Sequence, residues 1–328
     1  MDNNFFLEDT KYSNSYRDMI ERTEVINDGI IYYYNKNYMI GKTIQYQIFD
    51  GIWMVFHDLT LNKPELYPME RDGIIQMNYC ICGRCELHYK NSKVYYIGQG
   101  DFIIGLLKNK HYKHNFPLGH YTGISIIATK KKLDFFLQKM FDNPKIISKV
   151  LFDKLKENRE YIAMINQTEI AMIFQDMSLT NHAFFKEKCI IKFAELMLIL
   201  LDHDMEYQIS GRYFDKRTVN KVKQIKKEAT CNLDEHLTIN HITEKYEVSE
   251  KLFAECFKEI YGNTYYAYMK EFRIKKAADL LQNTDYKIAD IALMVGYQNA
   301  SKFSKAFADI MCMNPITYRS IHWEAVLE

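Results

Sequence analysis

Residues 288–319 read IADIALMVGYQNASKFSKAFADIMCMNPITYR, and this stretch decides the fold of the C-terminal part of the chain. Apolar residues recur at helical spacing on both sides of Gly296, at Ile288, Ile291, Ala292 and Val295 before it and at Ala300, Phe303, Ala306 and Phe307 after it. Glycine readily adopts the left-handed conformation that ends a helix. The stretch therefore predicts two short helices that close on a small core around a tight turn, which is a helix-turn-helix.

The outer face of the second predicted helix carries polar side chains of the kinds that contact DNA. They are Gln298, Asn299, Ser301, Lys302 and Lys305. Lysines hold phosphates, whereas amide and hydroxyl groups form hydrogen bonds with base edges. We expect Lys302 and Lys305 to contact DNA. For Asn299 the pattern leaves two roles open, a base contact and the N-cap of the helix.

Another helix-turn-helix is predicted upstream. Ile239–Tyr246 forms its first helix, Ser249 is placed as the N-cap of the recognition helix Glu250–Tyr261, and Gly262 ends that helix. The predicted buried stripe of the recognition helix is Leu252, Phe253, Cys256, Phe257 and Ile260. A connecting helix over Thr264–Leu281 would be about 27 Å long. With its flanking turns it can hold two recognition helices about 34 Å apart, which is one turn of DNA.

Further candidate DNA contacts lie on the first recognition helix and on the connecting helix. They are Lys251, Glu255, Lys258, Arg273 and Lys276. Glu255 can accept a hydrogen bond from a cytosine amino group, but repulsion by phosphates is the favoured interpretation. Arg273 and Lys276 either bind phosphates or pair with Glu271 or Asp279 on their own helix.

The C-terminal pattern resembles the signature of AraC/XylS-type transcription regulators, I-A-x-x-x-G-Y-x-N-x-S-x-F-S-x-x-F followed by P-x-x-Y-R. Ile291 to Phe307 and Pro315 to Arg319 carry it here. The resemblance implies an all-α domain with two helix-turn-helix motifs that binds promoter DNA. The sequence departs from the family at Glu255, Ala308 and Asp309, where basic residues are usual, and at Cys312, where glycine is usual.

The N-terminal half reads as strands followed by helices, which gives an α+β fold class overall. Short β-branched and aromatic runs separated by turn signals fill residues 29–128 and predict a sandwich or small barrel. The predicted strands are Ile30–Tyr34, Thr43–Phe49, Ile52–His57, Ile74–Cys82, Val94–Ile97, Phe102–Leu107 and Gly123–Ala128. Helices are predicted at Lys131–Phe141, Thr168–Met177 and Ala183–Asp202. We expect a sensory and dimerisation domain over residues 1–203, a linker over 204–216 and a DNA-binding domain over 217–328.

Part of this half also resembles the sensory domain of one AraC subgroup. Tyr79 to Glu86 fits Y-C-x-x-G-R-x-E, a G-x-G-D turn begins at Gly98, and Phe116 to Ile126 fits F-P-L-G-x-Y-x-G-I-x-I. The resemblance implies a cupin-like β-barrel with trailing helices. The candidate ligand pocket consists of aromatic residues, for which packing in the barrel core is the alternative: Trp53, Phe56, Tyr79, Tyr89 and Phe102.

Cysteine and histidine spacing indicates neither a metal site nor a cofactor. Cys80, Cys82 and Cys85 lack a second cysteine pair, and the HxH spacing of cupin metal sites is missing among His111, His114 and His120. We expect the clustered cysteines to be small buried hydrophobes. Seven cysteines, irregularly spaced, also argue against a disulfide scaffold.

The predicted helix at 183–202 is apolar nearly all round, so it should be buried on several sides. One stripe consists of Phe185, Cys189, Phe193, Leu196 and Leu200. The family resemblance implies dimerisation through helices of this region. We therefore expect a homodimer through this stripe, with packing against the barrel of the same chain as the alternative.

Composition limits the remaining possibilities. The 328 residues are 48% hydrophobic and 26% charged, which is typical of globular proteins. The net charge of +1 does not by itself indicate a nucleic-acid partner. No apolar run reaches the roughly 20 residues of a membrane span. The first nine residues lack the features of a signal peptide, so a cytoplasmic location is expected.

The sequence thus predicts a sequence-specific DNA-binding transcription regulator and no enzyme. Double-stranded promoter DNA, RNA polymerase and a small-molecule effector in the N-terminal barrel are the expected partners. In one alternative, the N-terminal domain only dimerises or binds a protein. In another, it is a metal-dependent cupin enzyme or a cysteine acceptor of DNA repair. The missing HxH spacing and the absence of a PCHR-type cysteine setting argue against the enzymes.

Overall fold

The computed structural model describes residues 19–27, 29–62, 65–66, 73–88, 93–106, 114–141, 149, 151–153, 155, 161–165, 167–178, 184–202, 213–234 and 238–324. The chain divides into two compact units, Met1–Tyr213 and Phe214–Glu328. Within the described residues, no helix has the length and apolar character needed to cross a membrane.

Antiparallel strands form the framework of the first unit. They are β1 (Ile20–Ile26), β2 (Gly29–Tyr34), β3 (Met39–Phe49), β4 (Ile52–Leu61), β5 (Glu65–Leu66), β6 (Ile74–Gly83), β7 (Cys85–His88), β8 (Lys93–Ile97), β9 (Phe102–Leu106), β10 (His114–Asn115), β11 (His120–Thr129) and β12 (Tyr161–Met164). Eight of them make one sheet in the order β1–β2–β3–β4–β11–β6–β9–β12, and β8–β7–β10–β5 lie in a second sheet. The α+β class is confirmed. The cupin-like closure of the strands stays a prediction.

One face of the eight-stranded sheet packs against helices. α1 (Lys130–Met140) begins at Thr129, whose hydroxyl accepts a hydrogen bond from the Lys132 amide. α2 (Thr168–Ser178) and α3 (Phe185–Asp202) follow. Sheet residues such as Ile52, Met54 and Ile124 share one buried cluster with residues of all three helices, which include Phe136, Phe174 and Phe193. Alternation along each strand places every second side chain in this cluster.

The stripe predicted as a dimer interface lies in this core instead. Cys189, Phe193, Leu196 and Leu200 are at most 1% exposed within the single chain, and Phe185 packs against Tyr46 and Phe56. The prediction is wrong for the four buried residues because the sheet and the neighbouring helices cover that side of α3, and Phe185 keeps part of its surface exposed. Ile191 and Leu198 are exposed apolar residues of α3. A homodimer stays a prediction, but it would need surfaces other than the stripe.

Helices make up most of the second unit. After the short strand β13 (Phe214–Asp215) come α4 (Lys216–Cys231), α5 (Ile239–Tyr246), α6 (Glu250–Tyr261), α7 (Tyr265–Asn283), α8 (Ile288–Met294), α9 (Ala300–Met311) and α10 (Pro315–Glu324). The side chains of Asp215, Ser249 and Thr264 cap α4, α6 and α7. β13 and the first residue of α4 fall within the segment predicted as a linker, whose residues 204–212 lie outside the described residues.

Two residues placed in buried stripes are exposed. Leu252 is 37% exposed, and Ala300 is exposed at the first position of α9. Both lie in the first turn of a recognition helix, where fewer side chains surround the axis, so periodicity alone overestimates burial there. Phe253, Phe257 and Ile260 of the predicted stripe are fully buried.

The recognition helix α9 ends in a left-handed residue that is not glycine. Cys312 has φ 60° and its amide donates to the Ala308 carbonyl. Residues with a Cβ are disfavoured in this region of backbone conformation, and glycine is not. Glycine is usual at this position of the signature, and the structure retains the left-handed geometry with a cysteine in it.

Replacing Phe193 by glutamate is expected to unfold the first unit rather than to release soluble monomers. A carboxylate without a partner in this core should cost more than about 4 kcal/mol of unfolding free energy. Ile191→Glu on the exposed face of the same helix is the matched control and should change stability by less than about 1 kcal/mol. Calorimetry and circular dichroism measure both variants. A folded Phe193→Glu variant would show that α3 is not packed as described.

Replacing Cys312 by glycine is expected to stabilise the second unit by about 1 kcal/mol, because it removes the left-handed strain. Cys312→Ala is the control, since it also removes the thiol but keeps a Cβ at the same backbone conformation. Urea unfolding of the full chain, with hydrogen exchange of the α9 amides, compares the three proteins. Equal stability of the glycine and alanine variants would contradict the explanation.

Candidate nucleic-acid interface

The recognition helix of the second helix-turn-helix presents its polar residues to solvent. Asn299 is its N-cap, and the side-chain Oδ1 accepts a hydrogen bond of 3.0 Å from the Lys302 amide. Phe303 and Phe307 are fully buried and fix the opposite face. The exposed residues of the predicted site at this helix are Gln298, Asn299, Ser301, Lys302 and Lys305. Of the two roles left open for Asn299, the structure shows the cap.

The turn before α9 requires glycine. Gly296 has φ +84°, and a Cβ there would lie 2.2 Å from the Leu233 carbonyl oxygen and 2.8 Å from Nη1 of Arg273. The Arg273 guanidinium is half-buried beside this turn, and burial lowers the pKa of Arg273. The guanidinium thus lies against the turn before α9, and a phosphate contact by Arg273 stays a prediction.

The first recognition helix combines cations with a carboxylate. Lys251 and Lys258 are exposed and Glu255 is partly buried. Spacings of four and three residues place all three on one side of α6. The turn before the helix contains Glu247 in the left-handed conformation, φ 49°. A DNA-facing role for these three residues stays a prediction, and the negative charge of Glu255 distinguishes α6 from α9.

Several lysines of the connecting helix, α7, form ion pairs. The Nζ atom of Lys276 lies 2.7 Å from Asp279 Oδ2, as the alternative to phosphate binding predicted. Lys270 Nζ lies 3.2 Å from Oδ2 of Asp309 on α9. The sequence did not indicate that pair, because 39 residues separate its members. Lys302 and Lys305, by contrast, form no ion pair with any residue that the structure describes.

The aromatic residues proposed for a ligand pocket do not line one cavity. Tyr79 stacks on Phe174 of α2 with ring centroids 4.8 Å apart, and Phe102 lies 5.7 Å from the same ring. Phe56 packs against Phe185 of α3. These residues belong to the helix-covered core, whereas the odd spacing from Phe56 puts Trp53 on the other face of β4. Tyr89 lies outside the described residues.

Two clustered cysteines are buried thiols. Cys80 is 0% and Cys85 is 7% exposed, and burial raises the pKa of Cys80 to about 12. Because the thiolate is the nucleophile and the metal ligand, a protonated buried thiol suits neither role. Their environment is that of small core hydrophobes. Cys82 is exposed on the same strand as Cys80, so the prediction of a buried thiol is wrong for Cys82.

A match to a known protein family lies in this C-terminal unit. A family model described as "Helix-turn-helix domain" matches residues 242–321. The melibiose operon regulatory protein of Escherichia coli K12 is 32% identical over 90 residues, which cover 27% of this chain and 30% of that protein. The HTH-type transcriptional activator RhaR of Mannheimia succiniciproducens is 23% identical over 125 residues, or 38% of this chain and 44% of the activator. The chain thus spans less than half the length of these relatives.

A solved structure is similar to part of the chain. The C-terminal domain of AraT, a response regulator from Geobacillus stearothermophilus, is 28% identical and covers 31% of this chain and 84% of that structure, with a TM-score of 0.30. The family match extends from α5 to α10 and so includes both helix-turn-helix motifs. Together with the signature residues from Ile291 to Arg319, the match and the curated relatives lead to one conclusion: the C-terminal unit of this chain is a helix-turn-helix domain of the AraC type.

Proposed function

We propose that this chain is a transcription regulator that binds promoter DNA in a sequence-specific manner. The observation that carries the proposal is the exposed face of α9, where Lys302 and Lys305 lie free of ion pairs with the described residues beside Gln298 and Ser301. Lysines supply phosphate contacts and the amide and hydroxyl groups supply hydrogen bonds to bases, which are the two components of specific recognition. The AraC-type fold of this unit and its regulator relatives support the proposal.

We further propose that the two motifs contribute unequally to binding. α7 has 19 residues and a length of about 28 Å at 1.5 Å per residue. That length suits two recognition helices in successive major grooves, about 34 Å apart. α6 carries three carboxylates against two lysines, whereas α9 carries two lysines against one carboxylate, that of Asp309. The second motif therefore supplies most of the affinity.

In this proposal, the N-terminal unit regulates the DNA-binding unit in response to a small molecule. A homodimer would bring four recognition helices to adjacent half-sites and raise their effective concentration on DNA. Promoter DNA as the target implies contact with RNA polymerase and a cytoplasmic site of action. The alternative regulator, in which the N-terminal unit only dimerises or binds a protein, predicts no small-molecule stabilisation. A rise in melting temperature on ligand addition separates the two, since a ligand that binds only the folded state stabilises it.

The double substitution Lys302→Ala with Lys305→Ala is expected to abolish specific DNA binding. Each lost phosphate contact should reduce the steepness of the plot of log binding constant against log salt concentration by about one unit of slope. A lost base contact should cost about 1–3 kcal/mol of binding free energy. Genome-wide mapping of bound sites supplies the operator, and anisotropy titrations at several salt concentrations measure the affinity.

The control is Lys216→Ala with Lys227→Ala, which removes the same charge from exposed positions of α4, outside both motifs. It should leave the operator affinity within about threefold of the wild type, which corresponds to less than 1 kcal/mol. Unchanged operator affinity in the folded Lys302/Lys305 variant would contradict the proposed role of α9.

The substitution Glu255→Arg is expected to strengthen DNA binding on operator and scrambled sequences alike, because it replaces a carboxylate with a phosphate-binding cation. Glu187→Arg on α3, an exposed residue of the first unit, controls for the change in total charge. Titrations on both DNAs over a range of salt concentrations decide the matter. Weaker binding to the operator alone would show that Glu255 reads a base.

A further inference from the structure

Three successive residues at the C-terminal end of α5 are each bound by a side chain of α4. Glu228 accepts a hydrogen bond from the Tyr246 hydroxyl, and its Oε1 lies 2.5 Å from Nζ of Lys245. Lys221 Nζ donates to the carbonyl of Glu247 over 3.1 Å. Lys221 and Glu228 thus contact the end of α5 and the turn that leads into the first recognition helix, α6. We call these two residues the α4 brace.

The spacing of the brace residues places both on one side of α4. Glu228 follows Lys221 by seven positions, which is close to two helical turns. On the adjacent side of α4, Val222, Ile225 and Ala229 are at most 3% exposed. The packing of these apolar residues fixes the rotation of α4, so both brace residues reach the end of α5.

The turn that the brace contacts has a residue in an unfavourable backbone conformation. Glu247 is left-handed, with φ 49°, and a Cβ is disfavoured in that region. The Glu247 amide donates to the Thr243 carbonyl, and so does the Val248 amide, over 3.1 Å. The Lys221 ammonium lies at the C-terminal end of α5, where the helix dipole favours a cation. Lys221 therefore stabilises a turn that Glu247 by itself disfavours.

The groups around Glu228 have the protonation states that their hydrogen bonds need. The bonds from Lys245 and from Tyr246 lower the pKa of Glu228. The bond to Glu228 raises the pKa of Tyr246 to about 12. At neutral pH the carboxylate is therefore charged and accepts, while the phenol is protonated and donates.

The brace is too exposed to be a main source of stability. The side chains of Lys245 and Glu228 are 48% and 24% exposed, and ion pairs at such positions contribute little to the free energy of unfolding. The brace fixes a direction instead. Ser249, the N-cap of α6, follows Glu247 by two positions, so a rotation at the turn would swing the whole recognition helix.

α4 is also anchored on the connecting helix, α7. The Nζ atom of Lys226 lies 5.9 Å from the ring centroid of Tyr268 and 5.8 Å from that of Phe272. Contacts of this kind between a cation and aromatic rings are favourable. α4 therefore links the turn before α6 to the helix that leads to the second motif. Reading two successive major grooves requires a fixed angle between α6 and α7.

We infer that Lys221 and Glu228 are positioning residues for DNA recognition, because they fix the turn between α5 and α6 and thereby the angle at which α6 enters the major groove. The inference rests on the proposed DNA-binding function. It adds two residues that lie outside both helix-turn-helix motifs and that act on base recognition through α6.

The variant Lys221→Met with Glu228→Leu tests the inference, since it removes one cation and one carboxylate and leaves the net charge unchanged. It is titrated on the operator and on an operator whose α6 half-site is scrambled. Binding should be weaker than wild type by about fivefold or more on the intact operator and within about twofold on the scrambled one. The melting temperature should stay within about 3 °C of the wild type.

The α6 half-site is assigned with Lys251→Ala and Lys258→Ala combined. Base substitutions in that half-site should lose their effect on binding when both lysines are absent, since the contacts that read them are gone. If no base position behaves in this way, α6 reads no bases and the inference is overturned.

Two further variants separate positioning from general weakening. Tyr318→Phe removes the 2.7 Å hydrogen bond from Gln282 between α7 and α10. As the matched control, it should bind both operators within about twofold of the wild type. Lys221→Arg keeps a cation that can reach the Glu247 carbonyl, so it should bind like the wild type, whereas Lys221→Met should bind the intact operator more weakly.

Several results would contradict the assignment. They are an equal loss on the intact and the scrambled operator, no loss on either, or a Lys221→Arg variant as weak as Lys221→Met. If the double variant fails to fold, Lys221→Met alone removes a single contact and is judged by the same comparison of the two operators.

Hydrogen exchange of the Glu247 and Val248 amides without DNA keeps this inference separate from the proposed function. In the double variant these amides should exchange about threefold faster or more, because the turn opens more often. Unchanged exchange in a chain that binds the operator would refute the brace and leave the regulator intact. Faster exchange in a chain whose wild type binds no operator DNA would refute the regulator and support the brace as the contact that fixes the turn.

Discussion

The close approach of backbone at Gly296 is the constraint on which the C-terminal unit depends. The carbonyl of Leu233 and the guanidinium of Arg273 occupy the space that a side chain would need, and the positive φ of the turn disfavours any other residue. The turn fixes where α9 starts. Because Phe303 and Phe307 bury one face of α9, the opposite face, with its lysines, is exposed. The orientation of the proposed DNA-reading face is therefore a consequence of packing around one residue without a side chain.

A net charge near zero does not conflict with a DNA-binding role, because the acidic residues are placed unevenly. Asp279 pairs with Lys276, Glu271 with Lys275, and Asp309 with Lys270. These pairs lie on or against the connecting helix. The exposed lysines of α9 stay unpaired among the described residues, so positive charge is concentrated where the proposed contacts are made. Local charge distribution and not the total governs such recognition.

The two faces of the large sheet in the N-terminal unit have different chemistry. One face joins α1, α2 and α3 in an aromatic and aliphatic core that includes Tyr79, Phe102 and Phe174. The other carries the uncharged polar side chains of Thr43, Ser125 and His57, and burial lowers the pKa of His57 to about 4. Successive side chains of a strand point to opposite faces of the sheet, so apolar and polar residues alternate along these strands. The aromatic residues that suggest a pocket in the sequence therefore stabilise the unit.

Elements whose signals are local can be predicted from the amino-acid sequence. Helical periodicity, the cap at Ser249 and the left-handed glycines at 262 and 296 predict both helix-turn-helix motifs, because each signal acts within one or two turns of chain. Tertiary structure alone decided which apolar faces are covered. The stripe through Phe193 reads equally well as core or as interface, and only the sheet packed against it shows that it is core. The same holds for Arg273 and for the Lys270–Asp309 pair, because contacts between residues distant in sequence leave no periodic trace in it.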